Sequence, residues 1–128
     1  MAKQYKKPSE NNSEAFAQMT GIDGTVPPQA TDLEKAVLGA LMLERDAIID
    51  VQEYVKPETF YLEEHRLIYK AIQELSFEMK AIDLYTVTER LKSQKMLQKV
   101  GGAGYLAELT QKVASAAHVE FHAKIIAQ

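Results

Sequence analysis

Cysteine and tryptophan are both missing from this chain of 128 residues. Without cysteine there is no disulfide framework and no thiolate metal site, and the composition fits a reducing compartment. No apolar run approaches the ~20 residues of a membrane-spanning helix. Lys3, Lys6 and Lys7 are not followed by the apolar segment of a secretory signal. Positive charge is in deficit, with 15 Lys and Arg against 18 Asp and Glu and a net charge of −3. A broad basic face for nucleic acid is therefore not expected. Strict polar–apolar alternation is lacking too, so no stretch predicts a sheet. These absences describe a soluble, cytosolic chain. Its 46% of hydrophobic residues suffices for one domain with a modest core.

What is present is helical period. Residues 1–26 are polar and irregular and read as a flexible tail, with Phe16 and Met19 on one side of a turn or two. Pro27 and Pro28 then bias the chain to extended geometry. The next residues predict a helix from about Asp32 to Glu44, capped by Thr31, with Glu34 reaching back to complete a capping box. Its apolar positions are Leu33, Ala36, Val37, Ala40 and Leu41. Asp46 is placed to cap a second helix with Ala47, Ile48, Val51 and Val55 on one face, ended by Pro57. Pro57 to Phe60 predicts a single turn, and Phe60 and Tyr61 are the anchors expected to pin it to the core.

The longest periodic stretch, Glu63 to about Met79, carries one stripe of Leu67, Ile68, Ala71, Ile72, Leu75 and Met79. It is the expected centre of the core. Asp83 is the expected cap of a further helix, with Leu84, Val87 and Leu91 inward and Lys92, Lys95 and Lys99 marking its end. Val100 to Gly104 reads as a glycine-rich turn, after which Tyr105, Leu106, Leu109 and Val113 resume the period. Ser115 is the candidate cap of a last helix with Val119, Phe121 or His122, Ile125 and Ile126 inward, and the period still runs at Gln128. The expected fold is all-α: a compact bundle of five or six short helices. Its globular part spans 27–114, and 115–128 begin a further helical element cut short at Gln128.

No chemistry stands out. The Gly101–Gly104 run lacks the Gly-Lys-Ser/Thr ending of a nucleotide P-loop and follows a helix rather than a strand. His118 and His122 lie one helical turn apart, but Val119 stands where the zincin pattern needs Glu, and His65 is remote in sequence. No catalytic, cofactor or metal residue is assigned. The helix after the glycines offers Lys112 alone as a base, too little for a DNA-recognition helix.

Five segments together carry a resemblance. PPQATDLEKAVLGALML, PETFYLEEHRLIYKAIQEL, AIDLYTVTERL, VGGAGYLAEL and ASAAHVEFHAKII, in this order over about 26–128, resemble the N-terminal domain of the bacterial replicative DNA helicase, the DnaB family. The resemblance implies an all-α collar domain followed by a helical hairpin, of which 115–128 are the start, that assembles as dimers and, in the full-length protein, as a hexamer. It implies docking of primase and of a loader or initiator protein. It further implies an ATP- and Mg²⁺-dependent motor domain, absent from this chain, through whose ring single-stranded DNA passes. Family docking of primase near the glycine-rich segment and just after the double proline maps onto Tyr105 and Asp32. From the residues alone, Tyr105 reads first as a core aromatic with its hydroxyl at the surface and Asp32 as a first-turn helix charge. The alternative to the whole reading is a standalone helical adaptor or dimerisation protein without a motor.

Overall fold

In a computed structural model of the chain, residues 28–111 and 118–128 are described. The described residues form six α-helices and no strand: α1 Pro28–Leu43, α2 Ala47–Val51, α3 Glu63–Phe77, α4 Leu84–Ser93, α5 Gly102–Gln111 and α6 Val119–Ile126, with a 3-10 turn at Pro57–Thr59. The chain divides into two units, 1–31 and 32–128. Of the first, only 28–31 are described, and they open α1. The expected tail at 1–26, Val113 and the candidate cap Ser115 lie outside the described residues.

The expected all-α fold is thus observed, and two details of α1 differ. The helix begins at Pro28, so Thr31 sits inside it rather than at its cap, and Asp32 lies beyond its first three residues. A proline at the first position already has helical φ and lacks an N–H that would need a partner. Glu34 accordingly does not close a capping box; its carboxylate turns inward, as described below. From Val37 to Met42 every residue is buried. That pattern belongs to a helix surrounded on all sides, so α1 shares the centre of the core with α3.

On α3 the buried set is His65, Ile68, Tyr69, Ala71, Ile72 and Leu75, a single stripe at three-and-four spacing. Met79 does not extend it. The helix ends at Phe77, and Met79 takes a left-handed φ of 61° with its side chain 93% exposed. The end is closed by Lys80 N–H donating to the Leu75 carbonyl at 2.9 Å and Met79 N–H to the Ser76 carbonyl at 2.9 Å. This is a Schellman-type stop, built here with methionine where glycine is usual. The same geometry ends α4, where Lys95 has φ 62° and Met96 N–H donates to the Leu91 carbonyl at 2.8 Å.

Asp83 caps α4 as expected. Its Oδ1 accepts from Thr86 N–H at 2.8 Å while Thr86 Oγ1 accepts from Asp83 N–H at 2.9 Å, a reciprocal box that satisfies two helix-start donors. Asp46 precedes α2 but makes no side-chain capping bond. Ala47, Ile48, Val51 and Val55 are all buried, as their spacing predicts. Phe60 is fully buried and is the anchor of the connector, whereas Tyr61 is 48% exposed and is held through its backbone. An ion-pair clamp ties α3 to α4. Arg90 grips Glu78 through two bonds of 2.9 and 2.6 Å and reaches Glu74 at 3.3 Å. Hydrogen bonds from Arg90 and then Lys80 draw the Glu78 carboxyl down to about 2. Val119 and Ala123 place α6 in the same hydrophobic cluster, and α6 packs against α2.

Leu75 is 3% exposed within this cluster. Leu75→Ala is expected to destabilise the domain by ~2–5 kcal/mol, the range for a core leucine that leaves a cavity. Asp83→Ala is expected to remove ~0.5–2 kcal/mol through the lost cap. Urea unfolding followed by circular dichroism checks both, and no change for Leu75→Ala would contradict this core.

Candidate functional site

The polar centre of the domain joins three helices that are distant in sequence. Glu34 on α1 is 4% exposed and His65 on α3 is fully buried. Glu34 Oε1 lies 2.7 Å from His65 Nδ1, and its Oε2 accepts from the backbone N–H of Tyr61 at 2.8 Å. On the other side of the ring, His65 Nε2 lies 2.6 Å from the hydroxyl of Tyr105 on α5. A carboxylate only accepts hydrogen bonds, so Nδ1 must carry the imidazole proton toward Glu34. Nε2 and the Tyr105 hydroxyl share the second hydrogen bond: a neutral ring accepts it from the Tyr105 O–H, and a doubly protonated ring donates it to the Tyr105 oxygen. The result is a relay, Tyr105 to His65 to Glu34, in which each atom named has a partner. That completeness matters because a buried polar group without one costs about 1–3 kcal/mol.

Local structure aims these groups. Phe60 meets the His65 ring edge-on, with centroids 6.3 Å apart, and the rings of His65 and Tyr105 are nearly parallel at 6.0 Å. The glycine-rich segment supplies the space for Tyr105. Gly101 has φ 109°, and a Cβ there would stand 2.9 Å from the Tyr105 Cβ, which no side-chain-bearing residue could accommodate without displacing the tyrosine. Gly102 also has positive φ, at 82°. Only Gly101 and the turn before it are irregular, because α5 already starts at Gly102. The run expected as a loop is therefore a helix start shaped to admit Tyr105.

Of the two residues singled out from the sequence, Tyr105 is partly buried, with its hydroxyl turned inward to His65. Asp32 is exposed on α1. It lies two residues from Glu34, and positions two apart on a helix point to different sides. The structure does not join Asp32 to Tyr105 directly; it joins their helices through Glu34 and His65. Those two residues were missed as members of a site. The signal was present: Glu34 precedes Val37, Leu38 and Leu41, and His65 precedes Ile68, Tyr69 and Ile72, at the spacing of one helix face. A charged or polar residue on an apolar stripe calls for a buried partner.

The surface away from the relay is shallow. An open hollow of about 310 Å³ is lined by Lys70, Gln73, Glu74, Phe77 and Glu78. Another of about 330 Å³ lies between Lys80, Tyr85 and Arg90. Neither includes Asp32 or Tyr105. The His118 and His122 rings are 6.4 Å apart. No group of three or more His, Asp or Glu side chains that could hold a metal ion occurs among the described residues. No helix among them is long and apolar enough to cross a membrane.

Fold and site together define an all-α helical domain whose helices are locked by a buried carboxylate–imidazole–phenol relay. Residues 26–128 match the family described as the DnaB-like helicase N terminal domain, and the chain belongs to it. Among its relatives, the replicative DNA helicase DnaB of Rhodothermus marinus is 50% identical over 105 residues, which are 82% of this chain and 11% of that protein. The replicative DNA helicase DnaB of Geobacillus stearothermophilus is 39% identical over 101 residues, 79% of this chain and 22% of that protein. The crystal structure of the N-terminal domain of DnaB helicase from Mycobacterium tuberculosis matches with a TM-score of 0.72 at 38% identity, covering 74% of this chain and 69% of that one. A structure of a DnaB-like replicative helicase described with its interactions with primase matches with a TM-score of 0.64 at 32% identity, covering 73% of this chain and 22% of that one. The chain thus spans only a tenth to a quarter of the length of these curated relatives.

Two tyrosines report on the interior. Burial pushes the Tyr105 hydroxyl up to about 12, with the negative charges of Glu64, Glu108 and Glu34 adding to it. Burial likewise pushes Tyr69 up to about 12, partly offset by a hydrogen bond with Gln73, and its hydroxyl donates to the Val55 carbonyl at 2.7 Å. In the unfolded chain both titrate near 10. Above that pH the unfolded state sheds these protons first, so the stability they confer is complete below pH ~10 and declines as pH rises toward ~12. Denaturant unfolding between pH 9 and 12 is expected to show this fall, and Tyr69→Phe is expected to flatten part of it.

Proposed function

We propose that this chain is the collar domain of a hexameric replicative DNA helicase in chromosomal replication. On this reading it holds the ring together by self-association and docks primase, with a loader or initiator protein as a further partner. A motor domain outside this chain binds ATP and Mg²⁺ and carries the unwinding in the cytoplasm, with single-stranded DNA passing through the ring. The collar contributes contacts and geometry rather than a chemical step.

The observation that supports this most is the family match across 26–128, together with the likeness to a helicase whose structure is described with its primase interactions. Surface composition agrees. Phe77 is 89% and Met79 93% exposed at the end of α3, and Tyr85, Phe121, Ile49 and Leu43 are each more than half exposed. A domain that meets copies of itself and other proteins has a use for such side chains.

Removing residues 1–128 from the full-length protein is expected to abolish primase stimulation and weaken ring assembly, as read by unwinding assays and analytical ultracentrifugation. Unchanged assembly and stimulation would contradict the proposal and favour a free helical adaptor.

A further inference from the structure

We propose that His118 and His122 form a two-imidazole chelate, at the start of α6, for a borderline divalent transition cation: Zn²⁺, Ni²⁺ or Cu²⁺. The chain holds three histidines and no cysteine, so imidazole is its main donor for an ion of this class. His65 cannot serve. It is fully buried, and its two ring nitrogens are engaged by Glu34 at 2.7 Å and Tyr105 at 2.6 Å. The other two histidines differ on each point. His118 is exposed and His122 is partly buried. His118 precedes α6 yet makes no side-chain capping bond, and neither ring has a hydrogen bond or ion pair among the described residues. Four positions apart on one helix, the two side chains rise from the same face. Their ring centroids are 6.4 Å apart, with planes at 56°. With metal–nitrogen bonds near 2.1 Å, two imidazoles on one tetrahedral ion stand roughly 5 Å apart. Rotation about the side-chain bonds closes that difference without moving the backbone.

The donor set stops at two. Glu120, between them in sequence, is engaged by the Tyr54 O–H at 3.2 Å and by Lys124 at 3.8 Å. The remaining positions around the ion fall to water. The positive end of the α6 dipole works against a cation here, and Glu120 in the first turn opposes that effect. With Val119 in place of a general base, the pair binds an ion and carries no hydrolysis. Its ion class is set apart from Mg²⁺, which prefers oxygen ligands. Binding ties the first turn of α6, the helix that packs on α2 through a face including the buried Val119 and Ala123. The inference does not depend on the collar reading, and failure of either leaves the other standing.

The test titrates the untagged chain, stripped of metal by chelator and dialysis, with Zn²⁺, Ni²⁺, Cu²⁺ and Mg²⁺ in turn by isothermal calorimetry. One ion per chain is expected for the first three, tightest for Cu²⁺, with no uptake of Mg²⁺. Zn²⁺ is also expected to raise the melting temperature, because the unfolded chain does not hold the two rings one turn apart. His118→Ala and His122→Ala are each expected to weaken binding on the order of a hundredfold, since the second imidazole no longer acts intramolecularly. His118 is exposed, so its variant keeps the fold, and circular dichroism checks this. Glu120→Gln is expected to leave affinity within about twofold, the scatter of an uncoupled site. In ¹⁵N NMR, Zn²⁺ should shift the ring nitrogens of His118 and His122 and leave those of His65 in place. No uptake of any of the three ions at millimolar concentration would overturn the proposal, as would binding that survives both histidine substitutions. A large loss with Glu120→Gln would overturn the two-imidazole assignment in favour of a site that includes the carboxylate.

Discussion

A buried carboxylate needs donors, and much of this domain is arranged to supply them. Glu34 is buried on α1, and its two oxygens are met by the Tyr61 N–H and by His65. His65 in turn needs a partner on its far side and finds it in the Tyr105 hydroxyl. Tyr105 can approach only because Gly101 carries no side chain. One constraint therefore reaches through four segments: α1, the connector after the 3-10 turn, α3 and the start of α5. An incomplete network of this kind is worse than an apolar core, since each orphaned group loses its water without gaining a partner. Completeness explains how polar residues can sit at the centre of so small a domain.

Most of the stabilisation comes from elsewhere. The cluster around Val37, Leu38, Leu41, Phe60, Ile68, Ile72, Leu91 and Leu106 removes large side chains fully from water, each contributing about 1.5–3 kcal/mol. The relay specifies rather than drives: it admits one arrangement of α1, α3 and α5 among the several that apolar packing alone would tolerate. The Arg90–Glu78–Glu74 clamp works at lower stakes, on partly exposed side chains where water and salt screen the charges. Its two-pronged geometry orients the corner between α3 and α4 more than it stabilises it.

The elements most legible from the chain are those governed by neighbours in sequence. Asp83 and Thr86, three residues apart, form their capping box because the partners are local. Pro57 starts its turn for the same reason. Glu34 follows Thr31 at the same spacing and looks alike, yet the helix begins earlier, at Pro28, and the carboxylate is claimed by partners 27 and 31 residues away. Met79 fails in the opposite way. It continues the apolar period of α3, but the chain reverses toward α4 at that point, and the turn takes the methionine out of the helix and into water. Periodicity reports what a helix would bury if it continued; it does not report where the path of the chain obliges it to stop.

Helical class, helix order, the α4 cap and the buried stripes of α2 and α3 were determined by the sequence by itself, because spacing of three and four residues and local hydrogen bonds act within one turn. The ordered run of segments also carried the family. Tertiary structure alone decided that Glu34, His65 and Tyr105 form a single unit, that Tyr105 presents its hydroxyl inward, and that α1 is buried on every side between Val37 and Met42. These outcomes depend on contacts between residues 31 and 40 positions apart. Such pairings follow from where folded helices come to lie, since only a buried location makes an unpartnered charge costly enough to select its partner.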